Sequence, residues 1–128
     1  MADLTSGRRI VATMEFDELT LVRLVTPANP IEYSEQDALR LQDAHLAHLH
    51  SLWSEGLLLA AGPARGDDAV RGLSLLRADE DVARALMARD PSVAAGRFEV
   101  EYLSWSVPAG MIVSGEGAPP SSTAEARS

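Results

Sequence analysis

The order of helical and strand-like segments limits most strongly what this chain can fold into. Residues 35–55 repeat apolar side chains with a period of about 3.6 residues, which predicts a long helix. Residues 79–90 begin with acidic and end with arginine side chains, as the helix dipole favours, and predict a second helix. Four short apolar runs ended by turn residues predict strands at 16–27, 57–64, 70–78 and 97–108. The resulting order, β-α-β-β-α-β, is that of a ferredoxin-like α+β fold.

Such a fold carries its helices on one face of an antiparallel sheet, so the other face needs cover. In a chain of 128 residues the simplest cover is a second copy, which predicts a homodimer. We expect residues 16–108 to form the α+β domain and residues 1–15 to be an N-terminal arm, either frayed or added as a strand. Residues 109–128 are rich in Gly, Pro, Ser and Ala, so we expect a flexible C-terminal tail.

The composition excludes several classes of function. A net charge of −8 offers no basic surface for phosphate backbones, so we expect no nucleic-acid partner. The chain has no lysine for Schiff-base chemistry, and no cysteine for a disulfide, a thiolate nucleophile or a metal–thiolate site. No apolar run approaches the roughly 20 residues of a membrane span, and the first residues lack the apolar stretch of a secretory signal. We therefore expect a cytoplasmic protein without a membrane partner.

The three histidines of the chain, His45, His48 and His50, lie close together in the predicted long helix. On a helical wheel, His45 falls inside the apolar arc of leucines, whereas His48 lies at one edge of that arc and His50 just beyond the other. A helical metal pair needs i, i+3 or i, i+4 spacing on one face, which only His45 and His48 have, and no carboxylate supports them on the same stripe. The sequence therefore predicts no metal site.

His45 has two interpretations. An imidazole on a core-facing stripe needs partners for its ring nitrogens, so His45 can be a structural residue bonded to a backbone carbonyl. It can also line an apolar pocket, where a neighbouring carboxylate tunes it for proton transfer. Periodicity alone favours the structural role, and the catalytic role requires a carboxylate from elsewhere in the fold.

Asp90 is the carboxylate that its position singles out. It ends the second predicted helix and precedes Pro91, which disfavours helical backbone at Asp90 and breaks the chain sharply. The same pattern is typical of an N-cap followed by a proline in the first helical position, so a cap and a partner for His45 both stay open. Glu99 and Glu101 on the last strand are secondary candidates, because acidic residues there more often face solvent.

Two motifs connect the predicted elements. Residues 44–63, AHLAHLHSLWSEGLLLAAGP, join a histidine-containing helix to a Glu-Gly-x-Leu-x-x-Ala-Gly-Pro strand, and residues 88–96, ARDPSVAAG, contain an Asp-Pro-x-x-x-Ala-Gly turn before the last strand. Together these motifs resemble the YCII-related (YciI-like) family. The resemblance extends from about residue 16 to residue 108. It implies a ferredoxin-like subunit that forms a dimeric α+β barrel, and a histidine–aspartate pair that falls on His45 and Asp90. His48 and His50 match no family position.

The resemblance favours a cofactor-independent enzyme in which His45 is the general base or acid and Asp90 holds the imidazole. The expected chemistry is isomerisation, elimination or cyclisation of a small, largely apolar organic molecule. We also predict that Arg23, Tyr102 and Trp105 contact this ligand, by binding a carboxylate or stacking on a ring. The alternative is a non-catalytic dimeric binding or accessory protein, in which His45 is structural and Asp90 is only a cap.

Overall fold

The computed structural model describes residues 8–11, 14–66 and 69–127. After the first strand, the elements follow the predicted order, with one extra helical turn between the second helix and the last strand. In chain order the elements are β1 (Arg8–Val11), β2 (Met14–Val25), α1 (Glu35–Ser54), β3 (Leu58–Pro63), β4 (Val70–Leu76), α2 (Glu80–Ala88), α3 (Pro91–Ala94), β5 (Glu99–Pro108) and α4 (Thr123–Arg127).

The described strands form one antiparallel sheet in which the order of the four longest is β5-β2-β4-β3. β2 lies at the centre, because it pairs with β5 on one side from Phe16 to Val25 and with β4 on the other from Thr20 to Val25. This strand order is that of a ferredoxin-like subunit, the unit from which dimeric α+β barrels are built. The predicted α+β fold class is therefore confirmed.

The start of the domain differs from the predicted boundary. β1 pairs with β2 between Met14 and Asp17, so the described part of the predicted arm is an added strand and β2 begins two residues early. Because β4 reaches only the other end of β2, β1 extends the sheet without changing the order of its other strands. Residues 1–7, 12 and 13 of the predicted arm lie outside the described residues.

α1 forms where its periodicity predicts it and turns the predicted face inward. The Ser34 side chain caps its first turn by accepting a backbone N–H three residues on, at 3.1 Å. The helix ends next to Gly56, whose φ of +78° is the left-handed conformation that terminates helices. The buried residues of the helix are His45, Leu49 and Leu52. The inward position of His45 on the helical wheel is therefore confirmed.

The helices cover one face of the sheet only. Val22 and Leu24 of β2 pack on that face with Leu52 of α1 and Met87 of α2 in a closed apolar core. Successive residues of a strand point to opposite faces, so the odd-numbered neighbours on β2 and β5 point away from this core. The helix-free face carries large exposed apolar side chains: Leu73, Leu103 and Trp105.

The segment after β5 differs from the predicted flexible tail. The His50 Nδ1 lies 3.0 Å from the Pro119 carbonyl oxygen, which can only accept the hydrogen bond. Thr123 donates its backbone N–H and its hydroxyl to the Asp43 carboxylate, each at 2.8 Å, and α4 begins there. The backbone N–H and then the hydroxyl of Thr123 hold the pKa of Asp43 below its usual value. Composition predicts mobility from local propensity, whereas these contacts with α1 are long-range.

Candidate active site

His45 lies on the buried face of α1, where only 6% of its surface is exposed. Its Nδ1 is 2.5 Å from the Asp90 Oδ2. Asp90 is fully buried, and its carboxylate can only accept a hydrogen bond, so Nδ1 carries the proton and donates it. The pair joins residues that are 45 positions apart in the chain. The structure thus brings together the two residues that the resemblance implied.

Asp90 is held in place by the break between α2 and α3. Its backbone is extended, with φ −68° and ψ 120°, and Pro91 occupies the first turn of α3. The Oδ1 accepts the Ser92 backbone N–H at 2.9 Å and the Ser92 hydroxyl at 2.8 Å. One carboxylate oxygen therefore caps α3 while the other faces His45. The two roles that the sequence left open for Asp90 are combined in one residue.

The Asp90 carboxylate stays ionised in spite of its burial. Burial alone raises the pKa of Asp90, but the hydrogen bond and charge interaction with His45 and the two hydrogen bonds from Ser92 outweigh it. The net result is a pKa below the usual value of 3.8. At neutral pH a charged carboxylate therefore faces the His45 ring.

His45 lines a cavity, and Nε2 is the ring nitrogen that does not bond Asp90. No hydrogen-bond partner of Nε2 is found in the part of the chain that the structure describes, where the ring contacts both Asp90 and Ser92 through Nδ1. The cavity has a volume of about 490 Å³, large enough for a small organic molecule. Most of its walls are apolar, with Leu24, Leu46, Leu49, Phe98, Pro119 and Pro120 among the lining residues.

Two arginines and an amide give the cavity a polar end. Arg97 and Gln42 lie in its wall, and an Arg97 guanidinium nitrogen is 3.2 Å from the Gln42 side-chain oxygen and 3.2 Å from the Ala38 carbonyl oxygen. Arg71 lines the same cavity. Burial, and then the positive charge of Arg71, lower the pKa of Arg97 more than Tyr33 raises it. The two guanidinium groups are thus close enough to interact.

His48 and His50 are bound to backbone carbonyls and do not line this cavity. The His48 Nε2 lies 2.9 Å from the Leu86 carbonyl oxygen on α2, and His50 holds Pro119 of the last segment. The wheel placed both residues at the margins of the buried face, and both are half-buried. In the described ranges, no group of three or more His, Asp or Glu side chains is placed to hold a metal ion.

Arg23, Tyr102 and Trp105, the predicted ligand contacts, are not brought to the His45 cavity. Arg23 and Trp105 alternate with core residues and project from the helix-free face, where Arg23 lies 3.4 Å from the Glu101 carboxylate. Tyr102 is on the helix side, but the Arg84 guanidinium of α2 covers its ring. The Arg84 guanidinium carbon lies 4.4 Å from the centre of the Tyr102 ring. Burial raises the pKa of Tyr102. Strand periodicity places residues on a face, but not at a given end of it.

The sequence interpretation missed the residues that complete the site: Gln42, Arg71, Ser92, Arg97 and Phe98. A signal existed for Ser92, because a hydroxyl two residues after an N-cap aspartate is well placed to donate to it. Gln42 precedes His45 by three residues and therefore shares its helix face. Arg71 comes from β4, whereas Arg97 and Phe98 are neighbours in the loop before β5, and nothing in their local pattern distinguishes them from surface residues.

The fold and the site define a ferredoxin-like α+β subunit with a buried histidine–aspartate pair beside a cavity. Residues 22–106 match the model of the YCII-related domain, which covers most of the chain. The protein belongs to the YCII-related family. The resemblance stated from its motifs is thus confirmed.

A solved structure supports the same fold. It is 5-chloro-2-hydroxyhydroquinone dehydrochlorinase from Burkholderia phenoliruptrix AC1100, in complex with 2,5-dihydroxybenzoquinone. It aligns with a TM-score of 0.52 at 24% sequence identity, over 68% of this chain and 92% of its own. Among curated proteins, none matches this chain. None of the helices in the described residues is long and apolar enough to cross a membrane.

Proposed function

We propose that the protein is a cofactor-independent enzyme that performs acid/base chemistry on a small organic molecule. The observation that carries the proposal is the placement of His45, whose Nδ1 is bonded to a buried carboxylate and whose ring lines the cavity. A base in this position removes a proton from a carbon next to a carbonyl, or from a hydroxyl. Isomerisation, elimination and cyclisation all begin with that step.

The surroundings of His45 favour proton transfer at Nε2. Because Nδ1 carries the proton shared with Asp90, Nε2 presents its lone pair. When Nε2 accepts a proton the ring becomes a cation, and the Asp90 carboxylate stabilises it across 2.5 Å. Ser92 holds Asp90 from its other oxygen. Asp90 is thus a positioning residue, and His45 is the group that we expect to contact the substrate.

The similar solved structure points to elimination among the three reaction types. That protein is a dehydrochlorinase bound to a hydroxylated quinone. Loss of hydrogen chloride from a chlorinated hydroquinone needs a base for the proton, a broken carbon–chlorine bond and a chloride that leaves with the bonding electrons. No oxidant or metal enters that balance. A histidine base beside a partly apolar cavity of about 490 Å³ is suited to such a substrate.

Turnover by a His45 variant tests the proposal. Chloride release from 5-chloro-2-hydroxyhydroquinone, measured without oxygen, reports elimination, and loss of carbon-bound proton signals of 1,3-diketones in deuterated water reports proton abstraction. We expect His45→Gln to lower turnover by about 10²–10⁴-fold, the usual contribution of a general base. His48→Gln is the matched control, because His48 bonds a backbone carbonyl outside the cavity.

The same assays distinguish the binding-protein alternative. A wild-type protein that binds 2,5-dihydroxybenzoquinone but is no faster than His45→Gln on any of these compounds is a ligand-binding protein. Equal losses in His45→Gln and His48→Gln would also contradict the proposal, because only one of these rings faces the cavity.

We propose further that the protein acts as a homodimer in which a second copy covers the helix-free face. The support is the exposure of Leu103 and Trp105, which are 60% and 46% exposed in the single chain. Exposed apolar side chains grouped on one sheet face are typical of an interaction surface. The cytoplasmic location expected from the composition belongs to the same proposal.

A further inference from the structure

The charge of the cavity is opposite to the charge of the chain. The protein carries 19 acidic and 11 basic residues, yet none of the described residues that line the cavity is acidic. Two of them, Arg71 and Arg97, are arginines, and a third is His45. A cavity lined by one sign of charge concentrates ligands of the opposite sign. This contrast indicates that the ligand is an anion.

Arg97 is held next to His45 by one stripe of α1. Its guanidinium nitrogen bonds to Ala38 and Gln42, which are seven and three residues before His45 and therefore on the same side of the helix. Both partners are neutral oxygens, and no carboxylate pairs with Arg97 in the described ranges. A guanidinium has five N–H donors in a planar fork, so most of them stay available for a ligand.

Arg71 reaches the cavity because of an irregularity in β4. Leu24 is opposite Gly72 and Val25 is opposite Val70, so Arg71 is the extra residue of a β-bulge. A bulge redirects a side chain that regular alternation would point to the other face. Its guanidinium has no ion-pair partner within the described residues. Two neighbouring cations without a counter-charge repel each other, and a bound anion would remove this cost.

Phe98 adds a flat apolar wall between these groups. Its ring centre lies 5.8 Å from that of His45 and 5.3 Å from the Arg97 guanidinium carbon. A planar ligand that packs on Phe98 can therefore present one end to His45 and an oxyanion to Arg97. Arg–oxyanion pairs of this kind are often bidentate, which fixes orientation as well as charge.

We propose that the substrate is a small planar organic oxyanion, a carboxylate or an ionised hydroxyquinone, and that Arg97, assisted by Arg71, binds its oxygens opposite His45. The inference rests on the proposed function, since it names the substrate class of the same site. Arg97 would act as the specificity-determining residue by orienting the reacting end of the ligand toward the His45 Nε2.

Binding of matched charged and neutral ligands tests this proposal without any need for turnover. The probes are 2,5-dihydroxybenzoquinone against its dimethoxy analogue, which cannot ionise, and benzoate against benzamide. The first pair reports ionised hydroxyquinones and the second reports carboxylates. Calorimetry on the full chain should show that at least one anion binds at least 10-fold more tightly than its neutral analogue.

Variants assign the preference to the arginines. Because hydrogen bonds to charged groups are stronger than those between neutral groups, Arg97→Gln should weaken anion binding about 10-fold or more while neutral ligands change less than about 2-fold. Arg97→Lys should restore part of the anion affinity. Arg71→Gln should lose less anion affinity than Arg97→Gln, and it replaces Arg97→Gln as the test variant if that protein does not fold. Arg89→Gln, at the exposed end of α2, is the control.

Three results would overturn the inference: neither anion binds at millimolar concentration, the neutral analogues bind as tightly, or Arg89→Gln has the effect of Arg97→Gln. Its failure differs from failure of the proposed function. If His45→Gln abolishes turnover while Arg97→Gln leaves KM unchanged, only the substrate class is wrong. If anions bind through Arg97 without turnover, only the catalytic proposal is wrong.

Discussion

The two faces of the sheet use polar and apolar side chains in opposite ways. The helix-covered face buries the hydrogen-bonded pair His45 and Asp90 next to a leucine-rich core. The helix-free face exposes Leu103 and Trp105 to solvent around the Arg23–Glu101 ion pair. The Asp90 charge is compensated inside the subunit by His45 and Ser92, whereas the large apolar side chains of the other face stay uncovered in the single chain. We propose that a second copy covers them.

The largest expected effect is on the free energy of unfolding, where loss of Asp90 should cost more than loss of an ordinary helix cap. Asp90→Ala removes the partner of a buried imidazole and the cap of α3, and we expect a loss of about 3–5 kcal/mol in the free energy of unfolding. Asp79→Ala is the matched control, because Asp79 caps α2 in the same manner but at the surface. Its loss should be about 1 kcal/mol. Urea titrations measure both, and equal losses would reduce Asp90 to a simple cap.

A charge on the helix-free face should weaken the proposed dimer without unfolding the subunit. Leu103→Glu places a carboxylate where we expect a second copy to pack, and it should raise the dimer dissociation constant at least 10-fold, or about 1.4 kcal/mol. Val82→Glu, on the outer side of α2, is the control, because Val82 is similarly exposed at 46%. Sedimentation equilibrium measures the change. A wild-type protein that stays monomeric at micromolar concentrations would contradict the dimer.

The smallest expected effect is a pH dependence of the folding stability that comes from Asp90 on the helix-covered face. The pKa of Asp90 in the folded protein lies below 3.8, so its carboxylate stabilises the fold above that pH, and the contribution is lost as the pH falls through the lowered value. The stability difference between the wild type and Asp90→Asn should shrink as the pH falls below 3.8 and the Asp90 carboxylate takes up a proton. A difference that stays constant into strong acid would show that the ionised form contributes nothing.

The elements with strong local signals were predictable from the sequence. The period of α1 is a local property, and it placed His45 on the inner face. Asp90 stood out because Pro91 fixes the backbone conformation of the residue before it. That the two residues meet required the family resemblance, since 45 positions separate them.

The rest of the site depends on tertiary contacts that local patterns do not encode. Arg71 reaches the cavity through a bulge, and Arg97 through bonds to two residues of α1. Arg23 and Trp105 were reasonable ligand contacts by residue type, but the pleat of the sheet points them to the other face. The last segment was predicted to be mobile from composition, whereas its Pro119 accepts one hydrogen bond from α1 and its Thr123 donates two to α1.

The protonation of His45 tests the central claim most directly. Long-range proton–nitrogen NMR on ¹⁵N-labelled protein near neutral pH distinguishes a ring nitrogen that carries a proton from one that does not. For the neutral ring, the account predicts a proton on Nδ1 and none on Nε2 in the wild type, and a changed pattern in Asp90→Asn. A neutral ring with its proton on Nε2 in the wild-type protein, or a spectrum that Asp90→Asn leaves unchanged, would contradict a base that Asp90 holds through Nδ1.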